Sequence, residues 1–266
     1  MELLELYHNH ISVCAQKVRL VLAEKGLSWK GHHFDLRRGE HLNPDYLKLN
    51  PKGVVPTLIH DGTVFVESTA INEYLDEVFS EPPLKPKDPV GRARMRVWTK
   101  LVDEGIHPAT TTITFATTFR GMMLQKSPQE LEDHLRRIPD LEKRELQRQL
   151  IDKGVDSPLV VKAIKVYDKT FDSMEKALAD RVWLVGDRYS LADIAYTPYL
   201  TRFYDLGMAE MWTVSRPRLA DWFARIKARP NYATAITDIV PGDYLAKLKA
   251  GGSAAWPRIK AMLRPV

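Results

Sequence analysis

Between Glu81 and Pro89 the chain reads EPPLKPKDP, four prolines in nine residues, and this cluster divides it. A proline ring locks φ, removes a backbone donor and disfavours helix in the residue before it, so this stretch cannot continue a helix and stays extended. On its N-terminal side, strand and helix signals alternate. On its C-terminal side, from 90 to 240, the pattern is helical throughout with no convincing strand pair. The expected organisation is a small α/β domain over 1–80, a linker over 81–89 and an all-helical domain with a C-terminal tail over 90–266. Asp88 and Pro89 stand at the preferred cap and first-turn positions of the helix that follows the linker.

Residues 1–80 read in the order β-α-β-(α)-β-β-α. Leu3 to Tyr7 is a buried strand. Val18, Val21 and Leu22 follow helical spacing, and Gly26 stops that helix. Trp29 to Leu36 is a second strand, with His32, Phe34 and Leu36 on one face, and 40–49 is a weak helical turn. VVPTLIH-DG-TVFVES is a hairpin, two β-rich runs around Asp61-Gly62. Ile71, Tyr74, Leu75, Val78 and Phe79 recur at helical spacing and define an amphipathic helix. Further on, 127–155 is highly charged and reads as exposed helices. YSLADIAY carries a variant capping box, with Asp193 at the third position after Ser190. Gly251-Gly252 sits in a basic amphipathic tail expected over 241–266.

The bulk chemistry removes several function classes. No run approaches 18 apolar residues, so no membrane span is expected. The N-terminus lacks the basic start and small-residue cleavage site of a secretory signal. One cysteine cannot form an internal disulfide, which fits a reducing cytoplasm. The net charge of +5 is spread among acidic residues rather than gathered on one tract, which speaks against nucleic-acid binding and favours a mildly basic cleft for small anions. His8-Asn9-His10 has the letters of a nuclease motif but no partners at metal-binding spacing. His32 and His33 point to opposite sides of a strand. There is no Cys pair for zinc, no phosphate loop and no GxGxxG, so no metal or nucleotide is expected.

Three local features carry the candidate chemistry. Ser12 and Cys14 sit at a strand-to-helix junction, where unpaired N–H groups and the helix dipole favour an anion. A charge-assisted hydrogen bond is worth about 1.5–3 kcal/mol, and lowering a thiol pKa by two units takes about 2.7 kcal/mol. A hydroxyl there is therefore able to hold a thiol as thiolate; equally, Ser12 is a good N-cap. The second feature is Val54-Val55-Pro56-Thr57: proline inside a strand-like run is read either as a cis turn that exposes neighbouring backbone or as a trans edge-strand residue. The third is Glu67-Ser68, opening a helix. Ser68 is either an N-cap or a donor to a ligand carboxylate, with Glu67 placed for a ligand ammonium.

SxCxxKVRLVLAEKG, LNPKGVVPTL, ESTAINEYL and YSLADIAY, in that order, closely resemble cytosolic glutathione S-transferases. DPV followed by RARMRVWTKLVDE is similar to the second-domain entry of the bacterial β-etherase branch, which cleaves lignin β-aryl ethers, and 127–155 is comparable to its charged insertion. The serine motif looks zeta- or omega-like; the serine of the β-etherase branch falls nearest Ala15, a departure from its pattern. The resemblance implies a thioredoxin-like N-terminal domain, an all-helical C-terminal domain, a cytoplasmic homodimer, and glutathione as co-substrate. It implies Ser12 as donor to the glutathione thiolate, with Cys14 either a mixed-disulfide nucleophile or an inert helix residue. Val55, ahead of a cis Pro56, would pair with the cysteinyl unit. Glu67 and Ser68 would hold the γ-glutamyl end, and His41 or Lys52 the glycyl carboxylate.

The thiolate would then attack an electrophile in a cleft walled by His10, Ile11, Cys14, Trp98, His107, Thr111, Phe115 and Phe119. His107-Pro108 interrupts a helix there, as a substrate contact or a kink in the core. The basic balance favours anionic or phenolic substrates. Two rival classes remain: a glutathione-dependent thiol reductase using Cys14, and a non-catalytic glutathione-binding interaction module.

Overall fold

The protein is described from a computed structural model, covering residues 3–36, 38–138 and 140–263. The chain forms two compact units. One comprises 1–100, 177–200 and 220–241; the other comprises 101–176, 201–219 and 242–266.

The first unit begins as the sequence order predicts: β1 (Leu4–His8), α1 (Val13–Glu24), β2 (Lys30–His33), a 3-10 turn at Glu40–Leu42, α2 (Pro44–Leu49), β3 (Thr57–His60), β4 (Thr63–Val66) and α3 (Ser68–Val78). The sheet order is β2-β1-β3-β4. β1 runs parallel to β2 and antiparallel to β3, with Leu6 opposite Gly31 on one side and Leu58 on the other. This is the thioredoxin-like arrangement. Alternation places Leu4 and Leu6 on the core face, against Val18, Val21, Leu22, Ile71 and Leu75 of the two packed helices, all buried. Asp61 (φ 47°) and Gly62 (φ 81°) both take positive φ, the two-residue turn that matches strand twist. Asp61 Oδ1 also accepts from Leu3 N at 3.0 Å.

The strand expected over 29–36 is shorter. Phe34 N still bonds His8 O, but Arg38 N then bonds Asp35 O and Gly39 turns at φ 76°, so the apolar alternation outlasts the ladder. The face assignment holds: His32 stacks on Tyr7 at 4.3 Å and Phe34 lies 5.7 Å from the same ring. Ser68 is not the cap of α3. Glu67 occupies that position and Ser68 is the first helical residue.

α4 (Pro89–Leu101) starts as expected, Gly91 N donating to Asp88 Oδ1 at 2.7 Å. Only the returning half of the capping box forms at Ser190: Asp193 bonds back to the Ser190 N–H, while the Ser190 hydroxyl donates to that carboxylate instead of serving the helix end. Asp193 Oδ2 accepts from Ser190 N (3.0 Å) and Ser190 Oγ (2.9 Å), while Oδ1 accepts from Leu184 N and Trp222 Nε1. Four donors surround one fully buried carboxylate, and burial pushes its pKa up.

In the second unit, two π-helical turns, Val102–Ile106 and Phe115–Phe119, bracket α5 (His107–Thr114). His107-Pro108 therefore does not interrupt a helix. The wider turn ahead of it accommodates the ring and the missing N–H, and helical backbone continues. α6 (Arg120–Met123), α7 (Pro128–Arg136) and α8 (Leu141–Lys153) follow. α7 has a capping box of Ser127 with Glu130, and Asp140 caps α8. The charged stretch 127–155 thus folds as exposed helices, with Leu135, Leu150 and Ile151 buried; Pro139 lies outside the described residues.

α9 (Pro158–Ala177) contributes Tyr167 and Phe171 to an aromatic core with Phe203 and Trp212, at ring distances of 4.0 to 5.5 Å. α10 (Leu191–Asp205), α11 (Glu210–Thr213), α12 (Pro217–Lys227) and α13 (Pro230–Tyr232) complete the chain up to the last helix. The expected tail is α14 (Gly242–Met262), a full helix; 264–266 lie outside the described residues. Its glycine pair has a packing reason. A Cβ on Gly251 would fall 2.3 Å from Thr117 O, and one on Gly252 would fall 2.0 Å from Leu206 O.

Candidate glutathione site

Ser12 caps α1. Its Oγ accepts from Ala15 N at 3.3 Å and its carbonyl accepts from Gln16 N at 2.9 Å. A hydroxyl has one O–H and two lone pairs, so capping spends a lone pair and leaves the proton to donate. The two readings of Ser12 are compatible. The turn before it is held by Asn9, whose Oδ1 accepts from Ile11 N (2.9 Å) and whose Nδ2 donates to Phe34 O (2.7 Å). Cys14 is half-buried, with Sγ 3.7 Å from Tyr199 Oη.

Around this turn the histidine rings of His8, His10 and His33 cluster, His10 to His33 at 4.0 Å. Burial drives His8 down to about 3, and burial followed by His33 lowers His10, so both are neutral near pH 7. Among the described residues no group of three or more His, Cys, Asp or Glu is arranged to hold a metal. Also among them, no helix is long and apolar enough to cross a membrane.

The Val55-Pro56 bond is cis. Val55 is buried, and neither its N–H nor its carbonyl enters a hydrogen bond among the described residues. The neighbouring Val54 carbonyl, by contrast, accepts from Tyr46 Oη (2.5 Å) and Asn50 Nδ2 (2.9 Å). Buried backbone polar groups are nearly always paired, so Val55 offers a main-chain ladder to an extended ligand. Glu67 is held at φ 70°, a region costly for a residue with a Cβ and concentrated at functional sites. Its carboxylate pairs with Lys52 Nζ at 2.6 Å, so two residues expected to bind opposite ends of a ligand meet each other. Ser68 Oγ has no hydrogen bond among the described residues, and His41 Nδ1 is buried without one. Burial lowers the His41 pKa.

Trp98, in the same unit, is half-buried and packs edge-on against Tyr196 at 5.5 Å. In the second unit, His107 opens α5 and its carbonyl accepts from Thr111 Oγ1 (3.1 Å). Phe115 and Phe119 bound the second π-helical turn, and Phe119 stacks on Tyr244 at 6.3 Å. These four recur every four residues, which keeps them along one side of the helical backbone. π-helical turns of this kind are frequent at functional sites.

Sequence reasoning missed Arg19 and Asn9, which shape the turn ahead of Ser12. The available signal was two cations, Lys17 and Arg19, set among the apolar residues of α1; the structure buries both almost fully. A buried cation demands partners, and those partners mark a built feature.

The family described as "Glutathione S-transferase, N-terminal domain" matches residues 11–78, and "Glutathione S-transferase, C-terminal domain" matches 129–225. The chain is 34% identical over 236 residues to Protein LigF of Sphingobium sp. (strain NBRC 103272 / SYK-6), covering 85% of this chain and 90% of that protein. It is 32% identical over 222 residues to maleylacetoacetate isomerase of Pseudomonas aeruginosa, covering 82% and 90%. The crystal structure of the β-etherase LigF superposes with a TM-score of 0.78 at 32% identity, covering 87% of this chain and 98% of that one. A sheet that leaves Val55 main chain unpaired and a serine at the head of α1 are thus features of a chain that belongs to the glutathione S-transferase family.

Proposed function

We propose that this enzyme binds glutathione along its N-terminal α/β region, 1–80, and transfers it to a small aromatic electrophile. The observation that carries the reading is Ser12 Oγ at the head of α1, capping through a lone pair with its proton left to donate. Glutathione's thiol loses its proton to solvent, and Ser12 O–H together with the helix end stabilises the sulfur anion. The sulfur forms a bond to an electrophilic carbon while the leaving group departs with its electron pair. For a β-aryl ether, the substrate class that the resemblance to the β-etherase branch implies, the C–O bond breaks and an aryloxide leaves, taking a proton from water.

The remaining assignments follow the local chemistry. Val55 N–H and C=O pair with the cysteinyl unit, and Pro56 fixes their direction. Glu67 takes the γ-glutamyl ammonium and Ser68 its carboxylate. His41, with its unsatisfied Nδ1, and Lys52 serve the glycyl carboxylate. Within the first unit, His10, Ile11 and Cys14 beside Ser12, together with Trp98, are candidates for acceptor contact; within the second unit the candidates are His107, Thr111, Phe115 and Phe119. A cytoplasmic location is supported by the presence of a single cysteine, which cannot form an internal disulfide. A homodimer is supported by Val90 and Val97, seven residues apart on α4 and 60% and 59% exposed. The thiol-reductase reading is the weaker one, since Cys14 is half-buried inside α1 with Sγ 3.7 Å from Tyr199 Oη, whereas Ser12 stands at the N-cap with a proton to donate.

The test is Ser12→Ala. Glutathione should still bind by calorimetry, while turnover of an aryl ether or an activated aryl halide at neutral pH falls at least several-fold. Retained turnover would demote Ser12. Turnover absent from the parent chain across an electrophile panel, with binding intact, would favour the interaction module.

A further inference from the structure

Behind the turn that carries Ser12 lies a guanidinium that no catalytic motif accounts for. Arg19 is 2% exposed, and its donors fan out to three carbonyls: Nη1 to Asn9 O (3.0 Å), Nη2 to His10 O (3.0 Å) and Nε to Ala235 O (2.9 Å). Nη1 also lies 3.3 Å from His8 Nδ1. Two of those carbonyls belong to the residues just ahead of Ser12. The third belongs to the π-helical turn Ala233–Thr237, so one side chain ties that segment to the turn. Among the described residues no carboxylate pairs with Arg19. Burial lowers its pKa to about 9, which leaves it charged at neutral pH.

We propose that Arg19 is a positioning residue of the thiol site, fixing the turn from His8 to Ser12 and placing an unneutralised positive charge behind it. The proposal rests on the reading of Ser12 as thiolate donor and adds a second source of stabilisation to it. The choice of arginine follows from the geometry. A planar fork reaches three carbonyls lying in different directions, whereas an ammonium is a point donor on a flexible stem. With no carboxylate on the guanidinium, its field is not cancelled locally, and an anion forming at Ser12 is the group that benefits. His8, His10 and His33 are the titratable rings facing this turn; His8 and His10 are held neutral near pH 7 and add no positive charge there.

The test uses the full-length enzyme and glutathione alone, reading the bound thiol's pKa from thiolate absorbance, with Ser12→Ala run in parallel. Arg19→Met should raise that pKa by about one unit or more and lower kcat/KM at pH 6.5 about tenfold, with KM for glutathione changed less than threefold. Arg19→Lys keeps the charge but loosens the turn and should fall between. His8→Glu leaves the guanidinium in place but neutralises it, and should raise the thiol pKa as well. That variant decides the matter if the Arg19 substitutions do not fold. A merely structural Arg19 would lower Tm and leave the bound thiol pKa unchanged, which overturns the proposal. If Ser12→Ala raises the thiol pKa and neither Arg19→Met nor His8→Glu does, this proposal alone fails; if Ser12→Ala leaves it unchanged, the Ser12 reading fails.

Discussion

Replacing Ser12 by alanine removes two interactions whose sizes differ and whose signatures separate. A hydrogen bond to a charged partner contributes about 1.5–3 kcal/mol, and each pKa unit corresponds to about 1.36 kcal/mol, so the bound thiol should rise by about 1–2 units. Taking an upper case of about 6.5 rising to about 8.5, the ordinary cysteine value, the thiolate fraction at pH 7 drops from about three quarters to about 3%. That is a loss of about 25-fold. A more basic thiolate is intrinsically more nucleophilic, which offsets part of the loss. That offset does not vary with pH, so the decisive quantity is the parent-to-variant ratio of kcat/KM across pH. At pH 9 both forms are mostly ionised, and the ratio should be about 20-fold smaller than at pH 7. Loss of the Ala15 N acceptor costs about 1 kcal/mol of stability, a Tm shift of about 2–4 °C. Steady-state rates from pH 6 to 9, with calorimetric melting, measure both. A ratio that stays flat with pH would refute thiolate stabilisation by Ser12, even if the variant were slow.

Three further outcomes follow from the packing. Asp193→Ala strands the buried donors of Leu184, Ser190 and Trp222 and should cost about 3–5 kcal/mol in urea unfolding; a loss under 1 kcal/mol would show that the network does little. Gly252→Ala would force a Cβ to 2.0 Å from Leu206 O and should cost about 3 kcal/mol or prevent folding, whereas Gly62→Ala meets no atom and suffers only its φ of 81°. His8, lowered from 6.5 to about 3 by burial, binds a proton more readily in the unfolded chain. Stability it contributes is therefore complete above pH 6.5 and lost as pH falls toward 3. His8→Asn should flatten the decline in unfolding free energy between pH 6.5 and 4, and an unchanged slope would contradict the burial argument.

Much of the first unit was legible because it rests on local chemistry. Period-two and period-3.6 patterns, Asp61-Gly62 and the proline cluster at 81–89 each act within a few residues, and the hairpin and helices appeared where they indicated. The strand over 29–36 was overextended because alternation records which side faces the core and says nothing of where a ladder partner ends. Pro108 was read as a break because a proline in α-helical geometry loses its bond, and a π-helical turn is invisible to residue spacing. At the candidate site, residue type and spacing were enough to put Ser12 at the head of α1 and Glu67-Ser68 at the start of α3.

The sequence by itself determined which segments became strands and helices, and it marked the serine at the head of α1. Only the tertiary structure decided what stands behind that serine. Arg19 lies seven residues along α1, Phe34 comes from just past β2 and Ala235 from a turn more than two hundred residues later. It likewise decided that Glu67 and Lys52 meet and that Asp193 gathers donors from three segments. Short-range patterning follows from backbone geometry, which repeats every few residues. Satisfying a buried charge or carbonyl depends on which distant group arrives beside it, and a linear order of residue types does not contain that distance.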